Sequence, residues 1–146
     1  MKVRIKKLRP EAAVPAAATP MSAGYDLRAC IGAAVTLYPG EPAMIPTGLA
    51  MAPESSGAVG LIFSRSGLGA KHGVVVRNGV GVIDADYRGE IMVTLVNTGH
   101  KPFSVRPGDR IAQLVFVPVL AAEFELSPDL DETERGRGGF GSTGLG

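Results

Sequence analysis

The sequence predicts an all-β domain of the barrel or sandwich kind, on three observations. Short apolar runs rich in Val and Ile recur along it, Gly and Pro (20 and 11 of 146 residues) punctuate those runs, and no stretch sustains a long helical period. The strand expectations, in order, start with the N-terminus, where Val3 and Ile5 alternate with Lys2, Arg4 and Lys6, the pattern of a strand with one solvated face. A presumptive strand at Ala23–Ala29 follows, then runs at Ala43–Ile45, Gly48–Ala52, Val59–Phe63, Val74–Val76, Val80–Ile83, Ile91–Val96, Phe103–Val105 and Ile111–Val119. One short helix is expected at Ser66–His72, entered through a serine and left at Gly73.

The length fits a single domain, and a hydrophobic content of 45% is enough for a real core. The spacing of the runs places the β domain at residues 1–126, with an arm at 127–146. Residues 127–134 are acidic with little to bury, and residues 135–146 hold six glycines with Phe140 and Leu145 as the only sizeable apolar side chains. Glycine loses the most entropy on ordering, so this arm is expected to be mobile in the free protein.

Composition narrows the function classes. No apolar run approaches the ~20 residues of a membrane span, and the basic N-terminus lacks the apolar core of a signal peptide. Cys30 is the single cysteine, which rules out an intrachain disulfide and a thiolate metal cluster and points to a reducing, cytoplasmic compartment. A formal net charge of +1 gives no electrostatic case for nucleic acid binding. The five bases among the first nine residues and the six acids from Glu123 to Glu134 read as solvated faces.

Five segments carry chemistry. Residues 135–144, RGRGGFGSTG, combine glycines that let a backbone approach an anion with the donors of Ser142 and Thr143; this suits a phosphate cradle, although the P-loop pattern is missing, and an RGG-like tail is the plainer reading. Residues 63–73, FSRSGLGAKHG, put Arg65, Ser66 and Gly67 at a strand-to-helix junction, where amides and a guanidinium can hold an anion or form an ordinary helix entry. Residues 78–89, NGVGVIDADYRG, read as a hairpin with carboxylates near its tip; an aspartate ionised at neutral pH can take a proton from water, and Asx residues are equally common turn formers. The spacing in AGYDLRA puts Asp26 and Arg28 on one strand face, and RPGDRIAQLV sets Arg110 and Gln113 on a strand after a turn. A buried ion pair or a surface charge would explain either. His72 and His100 read as structural, without a nucleophile or metal ligand at a recognisable spacing.

Together, and in this order, AGYDLRA, SRSGLG, GVIDADYRG, RPGDRIAQLV and RGRGGFGSTG resemble the five motifs of the trimeric dUTPase family, across residues 23 to 144. The resemblance implies a jelly-roll-like fold, a homotrimer with active sites shared between subunits, and hydrolysis of dUTP to dUMP and pyrophosphate, which keeps uracil out of DNA and supplies dUMP for thymidylate synthesis. It implies Asp84 as the general base that aims water at the α-phosphorus, and Mg2+ as cofactor, met by Asp26 only through water. Arg65, Ser66, Gly67 and Gln113 would hold the α- and β-phosphates, with Arg135, Ser142 and Thr143 on the γ-phosphate. Uracil would be read by main-chain groups around Val82, Ile83 and Asp84 and by the Asn78 side chain. Tyr87 would lie beneath the deoxyribose, Met92 would line the same pocket and Phe140 would stack on the base. The rival functions are a dCTP deaminase-like enzyme, which shares the fold, a nucleotide-sensing regulator, and a nucleic acid binder with an RGG tail.

Overall fold

The computed structural model describes residues 1–54 and 56–139. Among these residues twelve strands and one helix follow the chain: β1 (Val3–Lys7), β2 (Ala16–Ala17), β3 (Tyr25–Arg28), β4 (Val35–Leu37), β5 (Pro42–Pro46), β6 (Leu49–Pro53), β7 (Ala58–Phe63), α1 (Ser66–His72), β8 (Val74–Val76), β9 (Val80–Ile83), β10 (Met92–Asn97), β11 (Phe103–Val105) and β12 (Arg110–Pro118). A five-stranded sheet runs in the order β2-β3-β12-β7-β9, and a three-stranded sheet runs β5-β10-β8. The pairs β1-β6 and β4-β11 complete a jelly-roll-like arrangement. All strand pairings are antiparallel.

Alternation along the strands turns one face of each sheet inward. Leu27, Ile62 and Leu114 from the larger sheet meet Ile45, Val76, Val93 and Leu95 from the smaller one, and Leu37, Met51 and Val105 extend the same core. The smaller sheet also keeps apolar side chains on its outward face: Met44 and Met92 are exposed, and Val75 stands opposite Val96 in the β8–β10 register. Beyond β12, residues 119–139 form neither helix nor strand, and Leu120, Phe124, Leu126 and Leu130 are exposed there.

Among the described residues Asn97 is one of two buried polar residues, and its side chain makes three hydrogen bonds. Its Nδ2 donates to the carbonyls of Leu37 (2.9 Å) and Lys101 (2.8 Å), and its Oδ1 accepts the Gly99 N–H (2.9 Å). Asn97→Ala leaves those buried partners unpaired, so thermal unfolding at fixed protein concentration should report a loss of about 2–3 kcal/mol.

Two sequence expectations need correction. The segment from Val80 to Met92 is no hairpin: β9 pairs with β7, whereas β10 pairs with β5 and β8 in the other sheet. Two apolar runs around a turn do not say which edges they join, and here the chain crosses between sheets. The helix spans the expected residues and ends at Gly73 with φ of 69°, but Ser66 is its first residue rather than its cap. Arg65 holds the cap position without a side-chain capping bond, its guanidinium being turned to Asp26. Strands β2 and β4 were not among the sequence expectations: β2 is only two residues long, and Thr36 interrupts the apolar residues of β4.

Candidate active site

The Ser64–Gly67 turn leaves β7 beside the middle of the five-stranded sheet, where β3 and β12 bring Asp26 and Gln113 directly opposite each other. One end of β12 carries a bulge: Arg110 pairs with Arg28 and Ala112 with Leu27. Three residues apart, Arg110 and Gln113 would face opposite sides of a regular strand. The extra residue restores them to one face and explains why Ile111 and Ala112 are both buried.

The result is a charged cluster on the wall of a cleft of about 410 Å³, also lined by Ser66, Gly67 and Gly24. Asp26 Oδ1 accepts from Arg65 Nε at 2.9 Å and its Oδ2 from Arg110 Nη1 at 3.1 Å; the Asp26 side chain is 16% exposed. Two guanidiniums on one carboxylate leave a net positive charge facing the cleft, with N–H groups free to turn to an anion. Gln113 Nε2 donates to the Ser64 carbonyl at 3.0 Å, and the Ser64 hydroxyl accepts the Val76 N–H at 2.8 Å, which fixes the turn from both sides. Gly24 makes room for this arrangement, since a β-carbon there would stand 2.6 Å from Gln113 Oε1.

A second region lies at the other end of the β7–β9 ladder. A turn closed by Tyr87 N–H to the Asp84 carbonyl (3.1 Å) follows β9, and Val82, Ile83, Asp84, Tyr87 and Met92 border a recess of about 240 Å³. Next to it, a cavity of about 140 Å³ includes Asn78 with Val82, Ile83 and Met92. Asp84 is exposed, and among the described residues its carboxylate makes no hydrogen bond or ion pair. Asn78 is exposed, in the tight turn before Gly79 and Val80.

The structure thus gathers the expected residues in two groups. Asp26, Arg65, Ser66, Gly67 and Gln113 share the cleft; Asn78, Val82, Ile83, Asp84, Tyr87 and Met92 share the recess and its neighbouring cavity. Phe63 pairs with Val80 and Gly60 with Ile83, so Arg65 and Asp84 leave opposite ends of the ladder. Three paired steps plus the flanking residues separate them by roughly 10–20 Å at ~3.3 Å per residue. Arg135 joins neither group; it is exposed, and its Nε donates to the nearby Gly138 carbonyl at 2.9 Å. Phe140, Ser142 and Thr143 lie outside the described residues. Arg110 and Ser64 were not singled out for the site by sequence reasoning. At a spacing of three residues, it is the bulge that places Arg110 on the same face as Gln113.

Chemically, this defines a class: a jelly-roll β protein with a polar cleft suited to a polyanion. The dUTPase family model matches residues 10–144, and the chain belongs to that family. The deoxyuridine 5'-triphosphate nucleotidohydrolase of Tolumonas auensis is 52% identical over 144 residues, 99% of this chain and 95% of that one. That of Serratia proteamaculans is 55% identical over 131 residues, 90% of this chain and 86% of the other. Among solved structures, the Staphylococcus bacteriophage 80alpha dUTPase with dUPNHPP superposes with a TM-score of 0.86 at 30% identity, covering 99% of both chains. A mutant dUTPase from phage phi11 of S. aureus, whose structure reveals the coordination of a structural Mg(II) ion, gives 0.79 at 28% identity over 88% of this chain and 98% of that one.

Proposed function

We propose that the protein hydrolyses dUTP to dUMP and pyrophosphate, as a homotrimer whose active sites are shared between subunits, in a reducing, cytoplasmic compartment. In that role it keeps uracil out of DNA and supplies dUMP for thymidylate synthesis. The observation that carries this reading is Asp84: a carboxylate without a hydrogen bond or ion pair among the described residues, at the rim of a recess bordered by Val82, Ile83, Tyr87 and Met92, in a chain of the dUTPase family.

Asp84 takes a proton from a water aligned on the α-phosphorus; the new P–O bond forms as the bond to pyrophosphate breaks. Arg65, Ser66, Gly67 and Gln113 bind the α- and β-phosphates, and Arg135, Ser142 and Thr143 bind the γ-phosphate. The main chain around Val82–Asp84 and the Asn78 side chain pair with the uracil edge. Cytosine presents the opposite donor pattern there, and a site built for one pattern rejects the other by up to ~10⁴-fold or more. Tyr87 lies beneath the deoxyribose, Met92 lines the base pocket and Phe140 stacks on uracil.

The donors at hand suit magnesium in one way. Among the described residues no group of three or more His, Cys, Asp or Glu side chains could cage an ion, and both Asp26 oxygens already accept guanidinium protons. Asp26 fits a hydrated ion, reached through water, as this hard cation tolerates. When bound with the nucleotide, magnesium supplies charge neutralisation along the phosphates.

Shared sites are supported by the separation of the two groups within one chain. Reacting atoms must come within about 3–3.5 Å, so a base at one end of the ladder cannot serve phosphates gripped at the other. A neighbouring copy closes that gap. The outward Met44 and Met92 and the uncovered Leu120, Phe124 and Leu126 are the kind of apolar surface that association covers.

The test is a turnover assay across dUTP, dTTP, dCTP and UTP, with and without magnesium. Only dUTP should be split efficiently, with a preference of about 10⁴ over dCTP, and only with the metal. Release of ammonia from dCTP would identify a deaminase instead, and tight dUTP binding without turnover a sensor.

A further inference from the structure

The Tyr87 ring is held by its own chain neighbours. Its hydroxyl donates to the Glu90 carbonyl at 3.0 Å, and its ring lies directly against Gly89. A β-carbon at Gly89 would stand 2.5 Å from Cζ and 2.9 Å from Cε2 of Tyr87, and would meet the hydroxyl oxygen closer still. The ring is therefore only as well placed as the backbone of residues 89 and 90.

That backbone is held in part by the carboxylate of Glu90, a residue that also borders the recess but has no part in the reaction described above. Glu90 Oε1 accepts the Gly48 N–H at 2.8 Å, while Oε2 faces Arg9 Nη2 at 3.4 Å. The other terminal nitrogen of Arg9 donates to the Cys30 carbonyl at 2.9 Å. The next residue, Ile91, is fully buried; its N–H donates to Leu49 and its carbonyl accepts the Thr47 hydroxyl, both within 2.8 Å. With side chains 42% and 22% exposed, the Arg9–Glu90 pair alone contributes little. The charge-assisted bond from the Gly48 amide is the stronger tie.

We propose that Glu90 is a positioning residue: by tying residue 90 to the Gly48 loop and Arg9, it sets the height of the Tyr87 ring and with it the discrimination against ribonucleotides. The proposal rests on the reading of Tyr87 as the floor beneath the deoxyribose. A rigid ring leaves no room for a 2′-hydroxyl; a ring free to sink admits one. The effect falls on the ratio of kcat/KM for dUTP over UTP more than on kcat for dUTP, which depends on Asp84.

The experiment compares the wild type with Glu90→Ala, Glu90→Gln and Glu90→Asp in kcat/KM on dUTP and UTP, in Tm, and in the NMR spectrum of tyrosine-labelled protein, which has three tyrosines to assign. Glu90→Ala should lower the dUTP/UTP ratio about ten-fold or more, through a rise on UTP, with kcat on dUTP within about three-fold and the Tyr87 ring signals shifted. Glu90→Gln retains an acceptor for the Gly48 amide and should keep the ratio within about three-fold of the wild type. A lower Tm with ratio and Tyr87 signals unchanged would make Glu90 merely structural and overturn the proposal. Should Glu90→Ala not fold, Glu90→Asp decides, because its shorter side chain withdraws the carboxylate from the Gly48 amide: a several-fold lower ratio with Tyr87 displaced sustains the proposal, and no change refutes it. If the wild type does not split dUTP, the functional reading has failed separately, and the Tyr87 signals alone judge the positioning role.

Discussion

Asp84→Asn lowers dUTP turnover by about 10² to 10⁴-fold, the usual worth of a positioned general base, with nucleotide binding within a few-fold of the wild type. The change is nearly isosteric, and the carboxylate carries no hydrogen bond or ion pair among the described residues, so its loss leaves the fold untouched. The turn that presents it is closed through main-chain atoms, from Tyr87 N–H to the Asp84 carbonyl, and survives the substitution. Single-turnover kinetics beside equilibrium dUTP binding separate the two effects. Turnover at the parental rate would remove Asp84 from the chemistry.

Deleting residues 135–146 should leave the β domain folded and cut kcat/KM on dUTP by about 10²-fold or more. The estimate combines one base–aromatic stack, ~1–3 kcal/mol, with at least one charge-assisted phosphate contact, ~1.5–3 kcal/mol. Among the described residues the segment is tied only to itself: the hydrogen bonds of Arg135, Gly136 and Gly138 stay within residues 133–138. An unchanged Tm with activity lost is the expected pair of results. Full activity in the shortened chain would take Arg135, Phe140, Ser142 and Thr143 out of the site.

Much of the β architecture was legible because its signal is local. Val74–Val76, Val80–Ile83 and Phe103–Val105 are apolar stretches bounded by turn residues, and they form strands of those limits. The end of the helix was legible because Gly73 adopts a left-handed conformation that stops it. What failed was pairing. The segment around Asp84 has the residues of a hairpin, yet β9 and β10 belong to different sheets, and that choice is made by inward residues such as Val93 and Leu95 that a linear pattern cannot assign to a layer. The cleft shows the same limit. Asp26, Arg65 and Gln113 could each be named from sequence, but the joint hold of Arg65 and Arg110 on Asp26 depends on the bulge in β12, which no local motif announces.

The distance between Arg65 and Asp84 has a genetic side. Under the proposed trimer, each working centre draws its cation from one polypeptide and its carboxylate from another. Two alleles, one defective at position 65 and the other at 84, can then rescue each other in a mixed assembly, because some centres receive both intact halves. Conversely, a chain carrying both lesions contributes no competent half to any centre and poisons each one it enters.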